Sequence, residues 1–573
     1  MSSPTTTFRN PIIPGFNPDP SIIRVGSDYF LVTSTFEYFP GIPIYHSTDL
    51  LNWKIIGHVL TRRDQLDMRT TEPSGGIWAP TIRYRSEGTG KRDREGNETC
   101  KGRFYVSVGC TQRFRPKEWD IVIPRGFYVT TDDIWAKDSW SDPIYFDVPG
   151  IDQDLFFDSN GKTYFSAVNQ ITQPGVQKHA LGLATFTAEI DLATGRCLSK
   201  PTWNCISHHG IGIAEGPHTF QKDGYYYLST AEGGTDEGHQ QWIRRSRVGP
   251  LGPWEDAPEG VNPIIFNGED DEIRCTGHLD FVENGSGNWF AVFLGVRIVE
   301  GKLSTLGRET FLAPVEWKDG WPVVNGGRRI GVQMEMDASP SLTSAEVSPK
   351  QDIRTSWRDD FDSPDLQLGW YHLRTPLKRE YSLTENPGHL SLYGNAYRIF
   401  DSECPSMLLQ KQYDASVDWR VGLSFDPENP LEEAGTAIWW SQFAYASIGL
   451  RRSVSGDGME VFFRGYNGKA EGDVFEQEMR LTIRQENIHS LQSNTEINLL
   501  ICARPTKYEL LFSLPDSGDF IKLGEITSAA LTVRHPGRES PNTGAHFAIY
   551  AQGAYAMPCL QPAVFSFAEW RAV

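Results

Sequence analysis

Long hydrophobic runs are missing from this chain of 573 residues: no stretch of about 18 apolar residues occurs, so no segment is suited to cross a membrane as a helix. Cysteine is sparse. The eight present, at positions 100, 110, 197, 205, 275, 404, 502 and 559, are scattered without close pairs, which argues against a disulfide scaffold and reads as reduced thiols inside a cell. Residues 1–9 have neither a basic start nor an apolar core of signal-peptide length, so the expected location is cytoplasmic. Positive charge is in deficit, with 54 Lys and Arg against 73 Asp and Glu and a net charge of −19. That balance argues against nucleic acid or an anionic membrane as partner. A sustained helical period is also lacking through the first 300 residues.

What is present is turn-forming and strand-forming. Hydrophobic residues make up 39% of the chain and aromatics 12%, and 54 glycines are spread through it, a composition that fits an all-β protein. The length asks for two or three domains. One unit recurs five times: an apolar strand, a polar or glycine turn, and an aromatic strand. Its copies begin at Pro20-Ser21-Ile22-Ile23, Ala79-Pro80-Thr81-Ile82, Leu155-Phe156-Phe157, Ile213-Ala214-Glu215-Gly216-Pro217-His218 and Leu279-Asp280-Phe281. A sheet-forming unit repeated about every 60 residues predicts a five-bladed β-propeller, with the first strand of each blade lining a central channel.

Asp19, Trp78, Asp152, Glu215 and His278 stand just ahead of these five strands. Three blades therefore aim a carboxylate at one axis. One such acid would be an ordinary turn residue, but like charges crowded at a channel mouth cost stability unless they are used. Asp154 lies on the same face of the strand as Asp152 and competes with it. Register favours Asp152, because Leu155 and Phe156 follow it as Ile22 and Ile23 follow Asp19. Three acids suit cleavage of an acetal: one protonated carboxyl for the leaving oxygen, one carboxylate on the opposite side, and a third group to tune the acid.

Several motifs resemble glycoside hydrolase family 43: Asn17-Pro18-Asp19-Pro20-Ser21, Ser34-Thr35-Phe36-Glu37-Tyr38-Phe39-Pro40-Gly41, and Ser74-Gly75-Gly76-Ile77-Trp78-Ala79-Pro80. So do Ala214-Glu215-Gly216-Pro217-His218, Thr230-Ala231-Glu232-Gly233-Gly234-Thr235 and Leu306-Gly307-Arg308-Glu309-Thr310. The chain is most similar to the long branch of β-xylosidases and α-L-arabinofuranosidases with a C-terminal β-sandwich. The resemblance implies Asp19 as general base, Glu215 as general acid, and Asp152 as the group that tunes and orients the acid. It implies hydrolysis with inversion, sugar binding by Arg308, Phe36, Trp78 and His278, and no required cofactor. It leaves open a cation such as calcium in the channel near His278, although no metal-ligand spacing surrounds that histidine.

The expected layout is a propeller over residues 1–325, a linker over 326–356 and a β-sandwich over 357–573. Residues 86–101 read as a polar hairpin extension. In the similar branch the sandwich closes the pocket into a dead end, and 542–547 is the expected counterpart, with either His546 or Phe547 facing the sugar. The expected activity is an exo-acting β-1,4-xylosidase on xylooligosaccharides, with an α-L-arabinofuranosidase on arabinoxylan-derived oligosaccharides as the alternative. A non-catalytic carbohydrate-binding propeller is a more distant one.

Overall fold

The computed structural model describes residues 5–86, 102–114, 121–170, 182–207, 209–337, 351–455, 458–468, 474–483, 495–515, 518–531 and 542–573. Of the insertion at 86–101, only Ser86 falls within them.

Each sequence repeat folds as one antiparallel sheet drawn from contiguous chain. Blade I comprises Ser21–Val25, Asp28–Val32, Gly41–Ser47 and Lys54–Leu60. Blade II comprises Gly76–Ser86, Gly102–Phe114, Ile121–Thr131 and Ile144–Tyr145. Blade III is built from Ile151–Phe157, Thr163–Gln170, Leu183–Ile190 and Thr202–Ile206. Ala214–Lys222, Tyr225–Glu232, Gln240–Ser246 and Glu255–Asp256 form blade IV. Blade V is formed by Ile273–Glu283, Trp289–Val299, Glu309–Lys318 and Trp321–Val324, with Lys302–Leu303 folded back on its second strand. The first strands of successive blades pack side by side around the axis, and that of blade V returns to that of blade I. The second strands are buried on both faces because each sheet is covered by its neighbours, which is why they read as nearly continuous apolar runs such as Tyr29-Phe30-Leu31-Val32.

Among the described residues no strand is exchanged between the first and last blades. The ring is fastened instead by residues 10–17 lying along the third strand of blade V. The Asn10 side chain donates to Leu312 O at 2.9 Å and accepts from Leu312 N at 3.0 Å, and Asn17 N donates to Arg308 O at 3.0 Å. This clamp fixes the turn that carries Asp19. The stretch expected as a linker is not uniformly free of structure: Gln333–Asp337 is a strand paired antiparallel with Thr5–Arg9.

Downstream, two sheets face each other. One runs from Tyr381–Ser382 through Leu390–Leu392, Ala563–Ala572, Val417–Ser424, Ile497–Arg504 and Lys507–Ser513 to Ile521–Thr527. The other contains Met407–Lys411, His546–Gln552, Glu433–Ser441, Ala444–Arg452, Met459–Gly468 and Val474–Ile483. Ile497–Arg504 alternates buried and half-buried residues along its length, the signature of a strand with one face in the core. Trp419, Trp440, Phe547 and Trp570 anchor the space between the sheets.

The β-sandwich is fused to the propeller. His372–Leu373 adds to Tyr38–Phe39 as a two-stranded sheet, and Phe16, Phe36 and Tyr38 share one hydrophobic cluster with Tyr371, Leu409, Trp439 and Tyr550.

Candidate active site

All five first strands carry one extra residue at the same place. Pairing steps from Trp78↔Gly109 to Thr81↔Ser107, from Ile151↔Val168 to Asp154↔Ser166, from Glu215↔Ala231 to His218↔Ser229, and from Gly277↔Leu294 to Asp280↔Val292. Blade I has the same step, from the Pro18 O to Ser34 N bond to Ser21↔Val32. Such bulges re-aim side chains toward a site. The inserted turn puts Asp19, Ala79, Asp152, Gly216 and His278 in the left-handed region, with φ between 44° and 57°. For an aspartate or histidine this costs about 1 kcal/mol, and such strain gathers at functional sites. The sequence register is thereby corrected. Asp19, Asp152 and His278 share one position, whereas Trp78 and Glu215 stand one residue earlier. Four of the five residues lie inside the bulged strands rather than ahead of them, Asp19 being the exception.

Charge is distributed unequally over the three acids. Asp19 is 5% exposed. Its Oδ2 accepts from the Ser34 hydroxyl at 2.6 Å, and its Oδ1 accepts from Arg308 Nη1 at 3.1 Å, with His278 Nδ1 at 3.8 Å. Burial alone would raise its pKa, but Arg308, His278 and Ser34 outweigh that and hold the carboxyl below its ordinary 3.8. Glu215 is affected in the opposite direction. Burial, then the negative charges of Asp152 and Asp19, push it up to about 8. Asp152 is also raised by burial, against the pull of His278 and of the Gly216 N–H that donates to its Oδ2 at 2.9 Å. That bond ties Asp152 to the residue next to Glu215. At neutral pH the site therefore presents a carboxylate at Asp19 and a protonated acid at Glu215.

The surrounding side chains converge on Asp19. Arg308, which could have been a surface ion pair with Glu309, is 6% exposed and turned away from it. Glu309 is taken by Arg297 at 2.7 and 3.0 Å. Besides Asp19, Arg308 reaches the Thr235 hydroxyl at 3.0 Å, and its guanidinium lies 5.4 Å from the centre of the Phe36 ring. Phe36, 3% exposed, backs the arginine. Trp78 packs 5.8 Å from Phe36, donates from Nε1 to Ser74 O at 2.9 Å, and keeps part of its surface open. Gly76 permits this packing, since a Cβ there would come within 2.2 Å of Phe36 O.

The β-sandwich reaches the site through a different residue from either one expected. Phe547 stacks on Trp419 in the sandwich core, 5.1 Å between centroids. His546 is buried against Tyr38, 4.2 Å between centroids, and is separated from Arg308 by the Phe16 and Phe36 rings. Asn542 makes the approach: its O lies 3.4 Å from Arg308 Nη2, and its N donates to the Ser74 hydroxyl at 2.7 Å. Gly307 and Gly544 allow it, because a Cβ on Gly544 would lie 2.2 Å from Leu306 O.

His278 does not gather a metal-binding set. Burial lowers its pKa, and among the described residues no group of three or more His, Cys, Asp or Glu is arranged to hold an ion. Asp154, the rival of Asp152, points to Arg83 Nε at 3.0 Å and takes no part with Glu215. Sequence reasoning passed over Ser34, Thr235 and His239, and within the expected stretch 542–547 it singled out His546 and Phe547 and not Asn542. Ser34 and Thr235 stood inside recognised motifs, so asking which hydroxyls flank an acid would have found them. His239 donates from Nδ1 to Cys275 O at 3.0 Å and lies close enough to Asp19 and Arg308 to feel both charges. Nothing in its local sequence marks it.

Both parts of the chain match known families. Residues 8–322 match the family described as Glycosyl hydrolases family 43, and residues 358–571 match the beta xylosidase C-terminal concanavalin A-like domain. The chain is 40% identical over 436 residues to a non-reducing end alpha-L-arabinofuranosidase of Bacteroides ovatus, covering 75% of this chain and 73% of that one. It is 33% identical over 505 residues to a xylan 1,3-beta-xylosidase of a Vibrio species, covering 84% and 88%. Among solved structures, a xylan beta-1,4-xylosidase from Bacillus halodurans superposes with a TM-score of 0.83 at 27% identity, over 98% of this chain and all of that one. With its propeller, its three channel acids and a family match over most of the first 322 residues, the chain belongs to glycosyl hydrolase family 43 and is a glycoside hydrolase.

Proposed function

We propose that the protein is an inverting, exo-acting β-1,4-xylosidase that releases D-xylose from the non-reducing ends of xylooligosaccharides. The observation that carries the reading is the opposed tuning of two carboxyls in one pocket, Asp19 held ionised and Glu215 held protonated up to about pH 8. In the proposed reaction Asp19 takes a proton from a water as that water attacks the anomeric carbon. Glu215 gives its proton to the departing glycosidic oxygen on the other side. Asp152 keeps Glu215 protonated by its charge and holds the strand beside it through Gly216 N. Arg308, with two donors already fixed on Asp19 and Thr235, orients the base and is placed to bind sugar hydroxyls. Trp78 offers the apolar wall. The approach of 542–545 to Arg308 supports a pocket closed on one side, which favours removal of single terminal sugars. Seven free thiols among the described residues favour a reducing compartment, in keeping with a cytoplasmic enzyme that acts on short imported oligosaccharides.

A second reading, α-L-arabinofuranosidase, is favoured by the name of the 40% identical Bacteroides relative. Following xylobiose by proton NMR, with 4-nitrophenyl α-L-arabinofuranoside assayed in parallel, separates the two. Xylobiose turnover with α-xylose as the first-formed anomer supports the proposal. Arabinoside turnover with xylobiose untouched would replace the substrate, and β-xylose appearing first would overturn inversion.

A further inference from the structure

Below the catalytic acids, two residues beyond the positive-φ position of each blade, the channel holds a second polar layer: Ser21, Thr81, Asp154, His218 and Asp280. Two of its members are carboxylates, with side chains 1% and 7% exposed. They lie in the same buried channel as Asp19 and Asp152, a concentration of negative charge that needs compensation.

Arg83 supplies it. Its Nε lies 3.0 Å from Asp154 Oδ1, and its Nη1 lies 2.8 Å from Asp280 Oδ2, 3.3 Å from the Ser21 hydroxyl and 3.0 Å from Ile82 O. Its Nη2 lies 3.2 Å from His218 Nδ1. A guanidinium can only donate, so His218 Nδ1 is the accepting nitrogen. The carboxylates are held from behind as well: Asp154 Oδ2 accepts from Thr219 N at 2.9 Å, and Asp280 Oδ2 accepts from the Ser21 hydroxyl at 2.7 Å and from Ile22 N at 3.2 Å. Burial raises the Asp280 pKa, but Arg83 and its neighbours more than reverse that and hold it at about 2. The His218 and His278 rings are 5.9 Å apart, so this layer directly underlies the one containing Asp19 and Asp152.

Two carboxylates and an imidazole are donor types that a divalent cation takes. With Arg83 standing between them they are not arranged to hold an ion, and the place is filled by the protein itself. We infer that Arg83 is the resident cation of the channel, occupying the place between Asp154, Asp280 and His218 that a metal ion would otherwise take, so that the acids above it work without one. Arg83 touches no reacting atom in this account and is a positioning residue. The inference relies on the proposed catalytic roles only for its activity readout, and cation binding tests it independently.

The experiment is a titration with manganese(II), followed by the loss of the electron paramagnetic resonance signal of the free ion, on the wild type and on Arg83→Met and Arg83→Lys. The expected result is no stoichiometric binding by the wild type and activity unchanged by EDTA. Arg83→Met should bind one ion per chain, lose activity by roughly tenfold or more without it, and recover most of the loss when it is added. Arg83→Lys should bind none. The inference is overturned by wild-type activity that EDTA abolishes, or by an Arg83→Met protein that binds no manganese. If Arg83→Met does not fold, the charge-balanced variant Arg83→Met with Asp154→Asn and Asp280→Asn decides. Soluble protein that binds no manganese and retains arylglycoside turnover supports charge compensation as the role of Arg83. A variant that folds no better than Arg83→Met alone would refute it.

Discussion

Replacing Lys411 by Met should make the protein more stable and less active. Lys411 projects from the sandwich strand Met407–Lys411, is 3% exposed, and donates from Nζ to Asn17 Oδ1 at 2.8 Å. No carboxylate pairs with it among the described contacts, and burial lowers its pKa from 10.5 to about 7. A drop of that size corresponds to roughly 5 kcal/mol against the charged form. The faces of Phe16 and Tyr371, 5.9 and 5.1 Å from the amine, and the bond to Asn17 do not cancel it, since the amine still titrates at about 7 with them in place. Methionine, similar in length, would remove that cost but lose these three contacts, worth about 1 kcal/mol each, for a net gain of about 2 kcal/mol near pH 6. The sign follows from proton counting. Between about pH 7 and 10.5 the unfolded chain holds a proton on this lysine that the folded chain has lost, so wild-type stability gains with pH across that window. The advantage of Lys411→Met should be largest near pH 6 and fade above pH 9. Thermal unfolding of both proteins across this range is the assay, and a methionine variant less stable than wild type at pH 6 would refute the reasoning. Activity should fall modestly, because Asn17, whose N bonds Arg308 O two residues from Asp19, would lose one donor to its Oδ1 and keep the Tyr45 hydroxyl at 2.7 Å.

Three further outcomes follow from the site. The pH profile of kcat/KM should fall through about pH 8 as Glu215 loses its proton, and Asp152→Asn should move that limb to lower pH by removing a negative neighbour. An unmoved alkaline limb in Asp152→Asn would separate Asp152 from the tuning of Glu215. Gly544→Ala should lower activity at least tenfold with a soluble fold, since the added Cβ meets Leu306 O at 2.2 Å and pushes the 542–545 loop off Arg308; unchanged kinetics would show that this approach is dispensable. Cutting the chain after residue 337 should give insoluble protein, because Phe16, Phe36 and Tyr38 share their cluster with the β-sandwich. A soluble, active propeller would contradict that.

Much of this architecture can be read from residue order alone. The five repeats were legible because second strands buried on both faces leave apolar, aromatic runs, and the Asp223-Gly224 turn and its counterparts punctuate them. Asp152 could be chosen over Asp154 because bulge and register are the same in every blade. The one-residue offset of Trp78 and Glu215 was invisible, since it depends on which residue of each bulge takes positive φ, and Ala79 and Gly216 take it in those two blades. The domain contact was misplaced for a related reason: His546-Phe547 opens a core strand, and the loop just before it makes the approach through a backbone carbonyl that no side-chain pattern reports. Arg83 left a legible trace, a charge among the apolar and aromatic residues Ile82 and Tyr84 of a blade's first strand, though Arg85 in the same strand shares it. Its meaning required Asp154, Asp280 and His218, which come from three other blades.

The central claim is that Glu215 delivers the proton to the leaving oxygen while Asp19 serves the attacking water. Comparing Glu215→Ala with wild type on xylobiose and on an aryl xyloside whose leaving group needs no proton tests it most directly. The account predicts a loss of about 10²–10⁴-fold on xylobiose and a far smaller loss on the activated substrate. Equal losses on both, or none on either, would contradict it.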